Sequence, residues 1–158
     1  MRRKDREITG LAEIMEILSS CQVCRLGMCQ KGMPYVVPLN FGVEREGERL
    51  VLYFHGAREG KKLDIIRENP QVCVEFDGEH RLLEGETACA YSFAYESVIG
   101  FGKAEILESH EEKAQGLAAI LRSLTGKEFT FTPEQTQSVA VLRVALEEVA
   151  GKRRSAPA

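Results

Sequence analysis

Alternation of apolar and polar side chains predicts β-strands along most of the chain. Between Val72 and Asp77, three apolar residues alternate with a cysteine and two carboxylates, as in a strand with one buried face. Similar alternation, or a short run of β-branched residues, predicts further strands over 23–29, 34–43, 50–54, 87–93, 96–107 and 138–149. The polar, glycine-bearing residues 78–86 predict a loop.

The strand predicted over 34–43 has one unusual face. Pro38 cannot donate to a strand ladder, and Gly42 offers no side chain. We therefore expect this strand at a sheet edge, at a bulge, or where a flat ligand approaches the backbone. The preceding dipeptide Lys31-Gly32 predicts the turn of a hairpin.

Apolar residues at helical spacing predict an N-terminal helix over 7–20 and a longer helix over 109–124. The longer helix has a Ser-x-x-Glu start and a stop at Gly126. Its expected buried stripe is Leu117, Ile120, Leu121 and Leu124. Shorter helices are predicted over 60–69 and after the capping pair Thr132-Pro133.

This order of elements predicts a mainly β fold, a six- to seven-stranded antiparallel β-barrel with flanking helices. Short hairpin loops disfavour parallel βαβ winding, and a closed sheet protects strand edges. With 158 residues, 44% of them hydrophobic, the chain is long enough for one well-packed domain. We expect this domain to span residues 1–150 and to be followed by a basic tail at 151–158.

Charge and hydropathy narrow the possible partners. The formal charge of −3 comprises +3 in residues 1–6, +3 in Lys152–Arg154 and −9 on the remainder, which argues against nucleic acid. No apolar run is long enough to cross a bilayer, and the basic start is not followed by a signal-peptide core. We therefore expect a cytoplasmic protein with no membrane partner.

Five cysteines occur at positions 21, 24, 29, 73 and 89, an odd number that fits reduced thiols. Cys21 and Cys24 have the CxxC spacing of a zinc or redox pair. No second CxxC follows, and Cys29 completes no iron–sulfur spacing. Buried structural thiols are the favoured interpretation, since free cysteine behaves as a small core hydrophobe, and no metal is expected.

The stretch from Leu50 to Pro70 carries the main candidate chemistry. A strand ending at His55-Gly56 is followed by a polar turn and by Gly60-Lys61-Lys62 at a helix start. Two lysines beside free backbone N–H groups favour a phosphate or carboxylate, although two solvated lysines fit the residue types equally well. Three residues between the glycines, where a Walker A loop has four, exclude an ATP-type P-loop.

Four motifs in register resemble the pyridoxamine 5′-phosphate oxidase-like split-barrel flavoproteins, and within them the nitroimidazole-resistance branch. The motifs are Pro34-Tyr-Val-Val-Pro-Leu-Asn-Phe-Gly, Tyr53-Phe-His-Gly-Ala with Gly60-Lys-Lys-Leu and Asn69-Pro, Ser97-Val-Ile-Gly-Phe-Gly-Lys-Ala-Glu, and the strand leading to Gly151-Lys152. This resemblance implies a homodimer of split β-barrels, with FMN in a cleft between the subunits.

The resemblance also implies roles for individual residues. Pro38, Leu39 and Asn40 would face the flavin ring, and His55, Gly56 and Ala57 would lie along it. The phosphate of FMN would be bound by Lys61 and Lys62, and Ser97 would lie near the ribityl chain or phosphate. His55 would be the catalytic residue, although a hydrogen-bonded histidine at a strand end is an alternative.

The expected function is that of an FMN-dependent oxidoreductase. Electrons would pass from reduced nicotinamide or another donor to a small planar acceptor, such as a nitroimidazole or a related nitroaromatic. Two alternatives are a non-catalytic flavin- or heme-binding module and a pyridoxamine 5′-phosphate oxidase-type enzyme. The latter would need a basic substrate site near the C-terminus, where only Lys152–Arg154 is available.

Overall fold

One antiparallel β-sheet dominates the computed structural model, which describes residues 3–155. Seven strands follow the spatial order β3-β2-β6-β7-β8-β5-β4, and the two-residue β1 pairs with β8. The strands are β1 Glu7–Ile8, β2 Cys24–Gln30, β3 Met33–Leu39, β4 Gly42–Glu46, β5 Arg49–Gly56, β6 Gln71–Leu83, β7 Ser92–Ile106 and β8 Ala140–Arg154. Every pairing is antiparallel, so the predicted fold class is confirmed.

The sheet curls so that its two edge strands come close together. β3 and β4 lie at opposite ends of the strand order, yet only Asn40 and Phe41 separate them along the chain. The Cα atoms of Leu39 and Gly42 are therefore at most about 11 Å apart. No ladder joins β3 to β4 in the described part of the chain, and the open seam between them is the split of this barrel. The edge position predicted for Pro38 is confirmed.

Apolar side chains from the inner faces of the strands fill the barrel. The largest fully buried ones include Leu26, Leu52, Phe54 and Phe76. Two helices extend this core, because α1 (Leu11–Ser20) and α2 (Lys61–Glu68) each place apolar residues in the same cluster. These residues are Ile14, Ile17 and Leu18 from α1, and Leu63, Ile65 and Ile66 from α2.

A second, smaller core lies under the longest helix, α3 (His110–Thr125). Ser109 caps α3 by accepting the Glu112 N–H at 3.2 Å, and Gly126 ends it at a positive φ of 69°, as predicted. The predicted buried stripe is partly wrong, since Leu124 remains 39% exposed. Gly116 and Ala119 are buried instead, because α3 lies so close to the sheet that only small residues fit.

Gly42 is one point of that close approach. A side chain there would overlap the backbone of Ala119 and Ile120 in α3, so the missing side chain serves helix packing. The short helix α4 (Pro133–Gln137) follows, and Thr132 and Gln135 form a capping box at its start. The helix predicted after Thr132-Pro133 is confirmed.

Two predicted boundaries near the start of the chain are wrong. The N-terminal helix begins at Leu11, because Glu7 and Ile8 are in a strand paired with Lys152 and Gly151. Ile8 is buried in this strand. A buried apolar residue at this position fits a helix as well as a strand, so apolar spacing did not distinguish the two. Residues 34–43 form two strands, because the chain leaves β3 at Asn40 and crosses the split before β4 begins.

The second half of the sheet has longer strands than predicted. The expected loop at 78–86 is largely strand, since β6 continues past a bulge between Gly78 and Arg81. The strands expected at 87–93 and 96–107 form one continuous β7. Residues 151–154 of the expected basic tail belong to β8, while residues 156–158 lie outside the described part of the chain.

Candidate functional site

The connection from β5 to α2 forms a basic corner beside the split. β5 ends at Gly56, and α2 begins at Lys61 after a short turn. Gly60 precedes the helix with a φ of 143°, which a residue with a side chain rarely adopts. The first intrahelical bonds run from Leu63 and Asp64 to the Gly60 carbonyl. The N–H groups of Lys61 and Lys62 precede these bonds, so the positive end of the helix lies beside two ammonium groups.

The two lysines contact opposite sides of the split. The Lys61 ammonium lies 4.5 Å from the ring centroid of Tyr35 in β3, a cation–π contact. The Lys62 ammonium lies against Gly56 in β5, in the space that a side chain on Gly56 would occupy. The start of α2 therefore bridges the two sides and concentrates positive charge between them. The anion site at this helix start stays a prediction.

The other residues expected along the flavin lie at the ends of β3 and β5 and in the residues that directly follow them. On one side, Pro38 and Asn40 are exposed and Leu39 is half-buried, and the Asn40 amide donates to the Gln22 carbonyl at 2.8 Å. On the other side, His55 and Ala57 are exposed and Gly56 is half-buried. Gly42 in β4 pairs with Tyr53 in β5. Asn40 lies two residues before Gly42 and His55 two residues after Tyr53, so both lie beyond the same end of this ladder.

Ser97 lies in a different region of the protomer. It pairs with Asp77 in β6 and with Lys152 in β8, on the outer face of the sheet. Lys103, six residues along β7, pairs with Gln71 just after α2. At about 3.3 Å per strand residue, Ser97 is roughly 20 Å along β7 from that point. Eight of the nine predicted site residues therefore surround the split of one chain, and Ser97 does not.

Sequence reasoning did not predict the contacts that three further side chains, Tyr35, Tyr95 and Lys152, make in the structure. Tyr35 lies in the motif that begins at Pro34, and its contact with Lys61 depends on how α2 crosses the split. Lys152 was placed in the tail, and Tyr95 between two strands. Both belong to long strands, where the Lys152 ammonium lies 5.5 Å from the Tyr95 ring centroid. Only the extended β7–β8 ladder brings these two together.

The cysteines are free thiols in the structure, and Cys24 is fully buried. Burial raises the pKa of Cys24 to about 12 and also raises the pKa of Cys21, so both are poor nucleophiles near neutrality. Within residues 3–155 no group of three or more His, Cys, Asp or Glu side chains could hold a metal ion. None of the helices there is long and apolar enough to cross a membrane.

An open antiparallel barrel with a basic helix start across its seam defines a split-barrel protein. Residues 11–153 match the pyridoxamine 5′-phosphate oxidase family, and the chain belongs to that family. The resemblance identified from the four motifs is therefore confirmed. A sequence comparison with curated proteins gave no match.

Solved structures with this fold include three that cover most of this chain. A candidate 5-nitroimidazole antibiotic resistance protein from Bacteroides thetaiotaomicron is 33% identical, covers 93% of this chain and 86% of its own, and has a TM-score of 0.81. An FAD-binding protein from Mesorhizobium loti is 26% identical, with coverages of 95% and 98% and a TM-score of 0.66. The flavocytochrome Anf3 from Azotobacter vinelandii, at 22% identity, coverages of 99% and 73% and a TM-score of 0.81, is similar in fold alone.

Proposed function

We propose that this protein binds FMN in the split and acts as an oxidoreductase that reduces a small planar acceptor, such as a nitroimidazole or a related nitroaromatic. The observation that carries the proposal is the pair Lys61 and Lys62, which contact opposite sides of the split at the start of α2. The neighbour described as a candidate 5-nitroimidazole resistance protein, at 33% identity, supports this choice of acceptor.

The residues around the split fit a phosphorylated flavin. Two ammonium groups and the free N–H groups of a helix start match the charge of a phosphate monoester. The exposed Pro38 offers a flat surface at the strand edge, where a planar ring can approach closely. Two lysines favour the single phosphate of FMN over the diphosphate of FAD. Extracting the cofactor from purified protein and separating it by chromatography distinguishes the two.

A bound flavin would supply the electron transfer, and the protein would supply binding, orientation and a proton. His55 is the proposed catalytic residue, because it is the last residue but one of β5 and its side chain is exposed next to Gly56. From this position its imidazole could donate a proton to the reduced acceptor or orient it. The electron donor proposed is a reduced nicotinamide.

We further propose that the active protein is a homodimer. An apolar strip crosses the outer face of the sheet in one register row, formed by Val36, Gly27, Cys73 and Phe101. Val36 is 58% exposed and Phe101 49% exposed, and such a surface is costly to leave in water. A second copy would cover the strip and could bring its own Ser97 toward the lysines. If the dimer completes the site, dilution releases flavin together with monomer, and a monomer with undiminished flavin affinity contradicts this.

The reaction is tested with flavin-loaded protein under anaerobic conditions. After reduction, reoxidation should accelerate when a 5-nitroimidazole is added, and the nitro compound should be consumed in proportion. A bound flavin that no acceptor reoxidises faster would favour the non-catalytic binding module. Formation of pyridoxal 5′-phosphate and hydrogen peroxide from pyridoxamine 5′-phosphate in air would instead identify the oxidase-type activity.

A further inference from the structure

The Lys61 ammonium lies at the split without a carboxylate partner. Among residues 3–155 no Asp or Glu oxygen is within 4.0 Å of it, and Asp64, on the next turn of α2, pairs instead with Arg67 at 3.0 Å. Its neighbour Lys62 carries a second positive charge, and the positive end of α2 adds to both. Like charges at this spacing repel, so the exposed side chain of Lys61 would turn toward water unless another group held it.

The ring of Tyr35 holds this ammonium in place. The Lys61 nitrogen lies 4.5 Å from the centroid of the ring, where the negative face of the aromatic quadrupole attracts a cation. The ring is itself supported, because Tyr35 is half-buried and packs against the core inside the barrel. Its backbone pairs with Met28 of β2. The cation therefore contacts a surface that the sheet keeps fixed.

The other end of α2 is attached to the same side of the split. The Asn69 amide donates to the Cys29 carbonyl at 2.9 Å, and the Gln30 amide donates to the Glu68 carboxylate at 2.6 Å. Both acceptor and donor on the sheet side belong to β2, which lies beside β3. Two hydrogen bonds thus fix the end of α2 against β2, and the cation–π contact fixes its start against β3.

We propose that Tyr35 is a positioning residue for the phosphate of the cofactor. Its ring holds the Lys61 ammonium at the split before the cofactor binds, so the phosphate meets a cation that is already in place. An ammonium has three N–H groups, and the ring covers one side of it, so the other side can donate to a phosphate oxygen. Without the ring, binding would have to immobilise a flexible side chain, which lowers affinity. This inference rests on the proposed binding of FMN at the start of α2.

Flavin affinity tests the role of the ring. We expect Tyr35→Leu to raise the Kd for FMN about three- to tenfold while the Kd for riboflavin stays nearly unchanged. Tyr35→Phe keeps the aromatic face and should keep the wild-type ratio of the two constants. An unchanged ratio in Tyr35→Leu overturns the proposal. An equal loss in Tyr35→Phe also overturns it, because the hydroxyl group would then be the part of Tyr35 that acts.

Phe129→Leu is the matched control. It removes an aromatic ring from an exposed position in the loop between α3 and α4. The ratio of the two flavin constants should remain that of the wild type in this variant. A change as large as that in Tyr35→Leu would show that the ratio responds to the loss of any ring, and it would refute the assignment to Tyr35.

A double-mutant cycle shows whether Tyr35 acts through Lys61. In the Lys61→Ala background the ammonium is gone, so Tyr35→Leu should cause no further change in the ratio. The effect of Tyr35→Leu alone should also not exceed that of Lys61→Ala. Additive losses would mean that Tyr35 contacts the flavin directly or supports the fold, and they would contradict a positioning role.

Nuclear magnetic resonance tests the contact in full-length protein from which flavin has been removed. The ring current of Tyr35 should move the ε-methylene protons of Lys61 upfield of an ordinary lysine, and Lys61→Ala identifies their signal by its loss. In Tyr35→Leu the signal should return toward the ordinary position, and no movement overturns the proposal.

The two proposals for this site fail in different ways. If the wild-type protein binds FMN no more tightly than riboflavin, the phosphate site at the start of α2 is refuted, and the role of Tyr35 is refuted with it. A preference for FMN that survives Tyr35→Leu refutes the role of Tyr35 alone.

Discussion

Removal of the Lys62 ammonium should weaken FMN far more than riboflavin. Lys62 is half-buried against Gly56, where water screens its charge less than at an exposed position. A charge-assisted hydrogen bond to phosphate contributes about 1.5–3 kcal/mol. Since each 1.4 kcal/mol is a factor of ten, Lys62→Ala should raise the Kd for FMN by roughly 10- to 150-fold. Lys61→Ala should have a smaller effect, because its side chain is exposed and its ammonium already contacts Tyr35.

The assay compares two ligands that differ only in the phosphate. Flavin-free protein is titrated with FMN and with riboflavin, and quenching of flavin fluorescence gives both dissociation constants. Lys103→Ala is the control, because it removes one positive charge from an exposed strand position that contacts neither side of the split. Its ratio of the two constants should remain that of the wild type.

The ratio also separates binding from folding. A lysine that acts on the phosphate changes FMN affinity alone, whereas one that acts on the fold weakens both flavins equally. Equal weakening in Lys62→Ala, or unchanged FMN affinity in a well-folded variant, would refute the assignment of the phosphate to the start of α2. Thermal unfolding of each variant, measured beside the titrations, establishes that it is folded.

Three further predictions use other positions. Gly56→Ala should leave the melting temperature nearly unchanged but reduce FMN affinity about tenfold by displacing the flexible Lys62 ammonium, as fluorescence titration would record. His55→Ala should keep its bound FMN while single-turnover reduction of the acceptor slows about 10²-fold; unchanged reoxidation removes His55 from the mechanism. Because folding raises the pKa of Cys24 from an ordinary 9.0 to about 12, its contribution to stability is complete below pH 9 and is lost as pH rises toward 12. Urea unfolding at pH 8 and pH 10.5 should therefore show a smaller alkaline loss in Cys24→Ala, and an equal loss would contradict this.

Local signals predicted the elements that local physics controls. The capping pairs at Ser109 and Thr132, the stop at Gly126 and the strand-breaking Pro38 act within a few residues of themselves, and each has the role expected of it. The helix start at Lys61 is a similar case, because Gly60 and the two lysines that follow it are adjacent in the sequence. The order of the four motifs along the chain identified the family, and the family match over residues 11–153 confirms it.

The tertiary structure decided where these elements meet. The split exists because the sheet curls until β3 and β4 adjoin, and the contacts of Lys61 with Tyr35 and of Lys62 with Gly56 follow from the path of α2 across it. The same long-range pairing carries β8 through Arg154 and puts Lys152 beside Tyr95, where alternation alone suggested a tail and a break between strands. Polar residues remain in these strands because their backbone groups find partners on neighbouring strands, and those partners are far away in the sequence. The pattern of side chains along a chain shows which residues can be buried. It does not show which distant strand provides the hydrogen-bond partners for the backbone N–H and C=O groups of each strand.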